Sequence, residues 1–232
     1  MSLINAEGLC KTYQSGDISV KAIKEATFSI EQGSFVSFVG PSGSGKSTLL
    51  NMVGCLDSPS CGTLEVLDTD VTTLSRHQAA MFRGNNIGFV FQDFNLIPVL
   101  SAYENIEYPL IMVQSWPVDK RHARVMELLD AVGMADQAHK RPDQLSGGQK
   151  QRVAVARALV TQSKLVLADE PTANLDSTSA HKVIDLMKDM KDKFGTTFIF
   201  STHDPKVMAE AEITFTLIDG AIADKNEGVN NA

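Results

Sequence analysis

Nine residues, Gly40-Pro41-Ser42-Gly43-Ser44-Gly45-Lys46-Ser47-Thr48, restrict what this chain can fold into more than any other stretch. They follow a short apolar run, Phe35-Val36-Ser37-Phe38-Val39, and lead into an amphipathic stretch over 48–53, so the glycines fall on a strand-to-helix turn. Small residues let successive backbone N–H groups curl around an anion, and the positive end of the helix dipole points at the same place. Lys46 then reaches the outer phosphates, and the Ser47 hydroxyl suits a magnesium ion, a hard cation satisfied by oxygen. The glycine and lysine spacing arises by accident in roughly one chain in a hundred of this length. Its strand-and-helix setting makes accident rarer still.

At 232 residues with 43% hydrophobic content, the chain can bury one large core with a lobe attached. Its longest apolar runs are far shorter than the roughly 20 residues that cross a bilayer, and Met1-Ser2-Leu3-Ile4-Asn5 carries no signal-peptide pattern. A cytoplasmic chain with no direct membrane insertion is expected. The net charge of −7, from 21 basic and 28 acidic residues, argues against broad attraction to nucleic acid. Cys10, Cys55 and Cys61 are odd in number and suit a reducing compartment in which the thiols stay free.

Residues 4–9 and 20–30 read as strands joined through Gln14-Ser15-Gly16-Asp17, a small β layer ahead of the phosphate turn. Tyr13 stands at its edge, where an aromatic ring either stacks on a purine or packs as an ordinary tyrosine. Residues 62–67 and 87–91 supply further strands, the second ending at Gln92. From Asp93 to Lys164 the texture is helical: Val125, Leu128, Leu129 and Val132 form an i, i+3, i+4, i+7 stripe closed by Gly133. Alternating strand and helix then return, with a strand over 164–168, a crossover helix striped by Val183, Leu186, Met187 and Met190 and ended by Gly195, and a strand over 196–200. Residues 213–218 and 221–223 read as a closing hairpin through Asp219-Gly220, and 224–232 as a frayed tail.

Two further motifs carry chemistry. Leu165-Val166-Leu167-Ala168-Asp169-Glu170 puts two carboxylates at the end of an apolar strand, where doubly wound sheets place their ligands. There Asp169 suits the magnesium, and Glu170 suits the polarising of an attacking water. Leu145-Ser146-Gly147-Gly148-Gln149 is sharper, since this pentapeptide occurs by chance in only about a few chains in ten thousand. Ser at N-cap and Gln at N3 make a capping box, and glycines at a helix start make a second anion site. One nucleotide does not need two phosphate sites on separate lobes. A symmetric dimer reconciles them, each nucleotide being held by the turn of one chain and the second helix start of the other.

With these motifs in this order, the chain resembles the ATP-binding-cassette ATPases from Tyr13 to His203. The resemblance implies an α/β fold: a P-loop NTPase, RecA-like core with an N-terminal antiparallel β layer and a helical subdomain carrying the signature motif. It implies a core lobe over 1–92 and 164–223 and a helical subdomain over 93–163. For the site it implies ATP and Mg2+, adenine stacking by Tyr13, phosphate binding by Gly40, Ser42, Gly43, Ser44, Gly45, Lys46, Ser47 and Thr48, and a Q-loop role for Gln92 beside the metal. It further implies that Ser146, Gly147, Gly148 and Gln149 act across the dimer. Asp169 and Glu170 would be the Walker B acid and catalytic base, Asp176 part of the D-loop Asn174-Leu175-Asp176, and His203 the switch histidine. Lys150 after the signature and Ala173-Asn174 before Leu175-Asp176 depart from the frequent pattern without touching a phosphate.

Gly54-Cys55-Leu56-Asp57, Phe91-Gln92-Asp93-Phe94-Asn95-Leu96-Ile97-Pro98 and Tyr103-Glu104-Asn105-Ile106 look most like the lipoprotein-releasing and macrolide-exporting branch. The expected partners are therefore a transmembrane permease and a second copy of this chain, joined on ATP at the cytoplasmic face of the inner membrane. The alternative is a non-transport ATPase that regulates a membrane partner, resembling the cell-division members.

Overall fold

In the computed structural model, residues 2–16 and 18–227 are described, which leaves Met1, Asp17 of the first turn and residues 228–232 of the tail outside. In chain order the elements are β1 (Ser2–Ser15), β2 (Ile18–Glu31), β3 (Phe35–Val39), α1 (Lys46–Val53), β4 (Cys61–Val66), β5 (Thr69–Asp70), α2 (Arg76–Asn86), β6 (Ile87–Val90) and α3 (Ala102–Met112). They continue with α4 (Val118–Ala131), α5 (Gly147–Leu159), β7 (Leu165–Asp169), α6 (Ser177–Phe194), β8 (Thr197–Thr202), α7 (Pro205–Met208), β9 (Ile213–Ile218) and β10 (Ala221–Glu227). The class is α/β with an added antiparallel layer, and no helix of the described residues is long and apolar enough to cross a membrane. The chain divides into two compact units, Met1–Ala80 with Ile199–Ala232, and Met81–Phe198.

In the first unit the antiparallel layer runs β2-β1-β4-β5. A second sheet sets β3 parallel to β9, from Val36 opposite Ile213 to Val39 opposite Thr216, with β10 antiparallel on β9. Every residue of β3 is buried, as a strand covered on both faces requires. Phe28 of β2 meets Phe38 of β3 edge to face at 5.5 Å, and Phe38 stacks on Phe215 of β9 at 5.2 Å. Burying each such ring contributes about 1.5–3 kcal/mol. The phosphate turn therefore leaves the end of a fully buried strand that packs on the antiparallel layer. On the other face of the sheet the hydroxyls of Ser37 and Thr214 satisfy each other at 2.9 Å.

The cysteine expectation is corrected here. Antiparallel register sets Cys10 of β1 opposite Cys61 of β4 with Cα atoms 5.0 Å apart, and the two form a disulfide. Fifty-one residues of sequence separate them, and only the strand pairing brings them face to face. The tail differs as well, because residues 224–227 continue β10, with Lys225 opposite Phe215 and Glu227 opposite Ile213. Their side chains are exposed, so ladder hydrogen bonds rather than burial carry the strand past Ala223.

In the second unit β6 and β7 pair in parallel from Ile87 opposite Leu165 to Val90 opposite Ala168. The α4 stripe is buried at Val125, Leu128, Leu129 and Val132. On α6 the buried face is Ala180, Val183, Ile184, Met187 and Met190, while Leu186 is only half buried. Leu186 lies one residue, about 100°, round the helix from Met187, and the stripe turns toward Ile184 instead. The helix α2 was not legible because it buries no residue and so shows no apolar stripe. Asn105 of α3, 1% exposed, explains part of its own motif: its carboxamide accepts from Ile97 N–H and donates to the carbonyls of Ile97, Leu100 and Ser101. One side chain thereby pins the loop ahead of its helix.

Candidate functional site

The phosphate turn of the first unit is shaped by backbone that a side chain would block. Gly40 has φ 148°, and a Cβ there would run into the Leu217 carbonyl oxygen. Gly45, the residue before α1, has φ 104°, and a Cβ there would lie 2.6 Å from the Ala22 carbonyl oxygen. The start of α1 has no side-chain cap and no acidic residue in its first turn. The N–H groups of a helix's first turn, with the positive end of its dipole, suit an anion. Lys46, only 7% exposed, folds back so that Nζ donates to the carbonyls of Gly40 at 2.9 Å and Pro41 at 3.1 Å. The Ser44 Oγ is buried with no hydrogen-bond partner. A buried hydroxyl without a partner costs about 1–3 kcal/mol, so this atom fits a turn built for a phosphate oxygen. Ser42, Gly43 and Ser47 are exposed beside it, and Thr48 is half-buried.

Tyr13 is 41% exposed, which is not the setting of a core tyrosine. Its hydroxyl donates to Asp57 Oδ2 at 2.7 Å, and the Lys11 ammonium sits 4.9 Å from its ring centroid while pairing with the same carboxylate. Partial burial and the bond to Asp57 raise the Tyr13 hydroxyl pKa, against a lowering contribution from Thr48. Burial pushes the Asp57 carboxyl up, but hydrogen bonds from Lys11 and Tyr13 outweigh it and hold the group below the usual carboxylate range. This Lys11, Asp57 and Tyr13 cluster was missed by sequence reasoning, since 44 residues separate Tyr13 from Asp57. His203 follows β8 directly and is exposed.

In the second unit β7 buries its first four residues and delivers Asp169, then Glu170, both half-buried. Glu170 has φ 48°, a left-handed conformation costing a non-glycine residue about 1–3 kcal/mol. The loop that follows ends at Asp176, which N-caps α6 by accepting from Ser179 N–H at 3.0 Å. Hydrogen bonds from the Ser179 side chain and backbone hold its exposed carboxyl below its ordinary pKa.

The helix start at Ser146 forms the expected capping box: Ser146 Oγ accepts from Gln149 N–H at 3.3 Å, and Gln149 Oε1 accepts from Ser146 N–H at 2.9 Å. A cavity of about 210 Å³ opens there, lined by Ser146, Gly148, Gln149, Ser179 and the cations Arg152 and Lys182. Gly147 is the first residue of α5. Gln92 is exposed just past β6, and its carbonyl accepts from Asn174. In the apolar run after it, Phe94, Leu96 and Leu100 are half-buried and Val99 is 70% exposed. Thus the phosphate turn, Tyr13 and His203 belong to the first unit, and Gln92, the 146–149 helix start, Asp169, Glu170 and Asp176 to the second.

The sequence pattern of the ABC transporter family matches residues 23–173. The chain is 43% identical over 222 residues to the macrolide export ATP-binding/permease protein MacB of Marinobacter nauticus, covering 96% of this chain and 34% of that protein. It therefore spans about a third of the length of the macrolide export relatives it matches. It is 42% identical over 212 residues to an uncharacterised ABC transporter ATP-binding protein of Thermotoga maritima, covering 91% and 90% of the two chains. Among solved structures it is similar to the ATP-binding cassette MJ0796 of Methanocaldococcus jannaschii, a dimer in a post-hydrolysis state bound to ADP and Pi. That match has a TM-score of 0.88 at 40% identity and covers 97% and 98% of the two chains.

Proposed function

The chain belongs to the ABC transporter family, as an ATPase cassette, and on that footing we propose that it binds and hydrolyses ATP in an ATP-closed dimer to drive a separate transmembrane permease. The observation that carries this reading is the turn at 40–48, where a helix start without a side-chain cap, a folded-back Lys46 and the unpartnered Ser44 hydroxyl gather.

Tyr13 offers its ring to the adenine, a stacking contact worth about 1–3 kcal/mol. Lys46 exchanges the carbonyls of Gly40 and Pro41 for the outer phosphates, and the backbone of Gly43, Ser44 and Gly45 wraps them. Ser47, Asp169 and Gln92 offer a hydroxyl, a carboxylate and an amide oxygen. This all-oxygen set suits magnesium, which when bound neutralises phosphate charge. Glu170 takes a proton from the attacking water. The water oxygen bonds to the terminal phosphorus as the bond to the bridging oxygen breaks, and that electron pair leaves with ADP. His203 steadies the terminal phosphate. The 146–149 helix start and the Asp176 loop close on the nucleotide from the second copy.

The permease partner holds the chain peripherally on the cytoplasmic face of the inner membrane. Its seat is the apolar run after Gln92, where Val99 is 70% exposed. Cargo is chosen by that partner, and the branch of the resemblance favours export or the extraction of lipoprotein or lipid. Purified chain should release phosphate from ATP, and Glu170→Gln should keep ATP binding while slowing turnover about 100-fold or more. Turnover at the unaltered rate in that variant would refute the assignment of the base.

A further inference from the structure

Two side chains from different elements grip four consecutive residues of the turn after β6. The Asn174 carboxamide donates to the Gln92 carbonyl at 3.1 Å and to Asp93 Oδ1 at 2.8 Å. From α5, Arg157 donates to the carbonyls of Phe94 and Asn95. Phe94 and Asn95 both adopt left-handed backbone, with φ of 62° and 46°. Such a conformation persists only where its surroundings fix it. Burial lowers the Arg157 pKa to about 10, so the guanidinium is still charged at neutral pH and its two carbonyl bonds are charge-assisted. The same three segments close on Gly147, where an added Cβ would lie 3.2 Å from Leu175 Cδ2, 3.6 Å from the Asn174 carbonyl oxygen and 3.8 Å from Phe94 Cζ.

We propose that Asn174 is a positioning residue for Gln92, latching the loop after Asp169 and Glu170 onto the turn that presents the Gln92 side chain. The inference rests on the magnesium role proposed for Gln92. Asparagine suits the task because its amide supplies two N–H donors, one for a backbone carbonyl and one for a carboxylate. Aspartate has neither donor and would set a second negative charge against Asp93; alanine leaves both acceptors to water. Any shift of the 171–176 loop on nucleotide binding is passed to Gln92 through this amide, while Arg157 holds the far end of the turn fixed to the helix that starts at the signature.

The test uses the whole chain with Asn174→Ala, Asn174→Asp, Asp93→Ala and the Asn174→Ala/Asp93→Ala double variant. Asn174 is exposed, so each should fold with an unaltered melting profile. In nucleotide-free, metal-free protein, amide hydrogen exchange over 92–95 should rise severalfold in Asn174→Ala, with 40–48 unchanged. In turnover assays the magnesium concentration giving half-maximal rate should rise severalfold, more in Asn174→Asp than in Asn174→Ala. Affinity for a fluorescent ATP analogue measured in EDTA should stay put. The double variant should be no worse than Asn174→Ala, since the two residues share one bond. Unchanged exchange over 92–95, an unchanged magnesium response, or additive effects in the double variant would overturn the proposal. An inactive unaltered chain would instead refute the ATPase reading, and the exchange result would still judge the latch.

Discussion

The hydroxyl of Tyr13 donates to Asp57 Oδ2 at 2.7 Å, and this bond joins the edge of the antiparallel layer to the loop that follows α1. A ring anchored at its far end is pre-organised for a purine, because less rotamer freedom is lost on binding. Asp57→Ala should therefore weaken ATP binding a fewfold, in line with about 0.5–1.5 kcal/mol for one hydrogen bond, and leave the maximal rate unaltered. Titration with a fluorescent ATP analogue checks this, with Tyr13→Ala as the larger loss. Equal affinity in Asp57→Ala and unaltered protein would remove the anchor from the account.

Assembly should follow the nucleotide. Two copies sharing each nucleotide give ATP a differential affinity for the dimer, so ATP shifts the equilibrium towards it. Glu170→Gln with ATP should scatter light as a dimer and run as a monomer without it. Adding Ser146→Arg should abolish that dimer by breaking the capping box and filling the cavity at the start of α5. A dimer indifferent to both ATP and Ser146 would contradict the shared site.

Val99, at 70% exposure, is the most open large apolar side chain of the run after Gln92 and the best single probe of the permease surface. Val99→Asp should hydrolyse ATP normally as the free chain but co-purify poorly with its membrane partner and lower transport in cells. Half-buried Phe94 and Tyr103 should respond less cleanly, since charge there also disturbs the helical packing. Normal partner capture by all three charge variants would put the docking surface elsewhere.

The Cys10 and Cys61 disulfide closes a loop of 51 residues, which in the chain-entropy account corresponds to at most about 4 kcal/mol. Reductant should lower the thermal midpoint of the unaltered protein, and Cys61→Ala should melt at the reduced value with or without it. Identical midpoints in oxidised and reduced protein would show that β1 and β4 hold their register unaided.

By itself the sequence determined what depends on neighbours a few residues apart. The capping box between Ser146 and Gln149, the Gly195 stop with φ 63° and the Asp219-Gly220 hairpin turn are all set by local backbone chemistry. Each was legible because its partners lie within one turn of chain. Only tertiary structure decided that Cys10 faces Cys61, that Tyr13 rests on Asp57, and that Asn174 reaches back 82 residues to Gln92. No periodicity or propensity encodes such pairs, because strand register and loop packing choose them after the local elements exist. The limit is clearest at Asn174: the residue stood out as a departure from a frequent pattern, and its meaning came from the carbonyl and carboxylate that the fold brings to its amide.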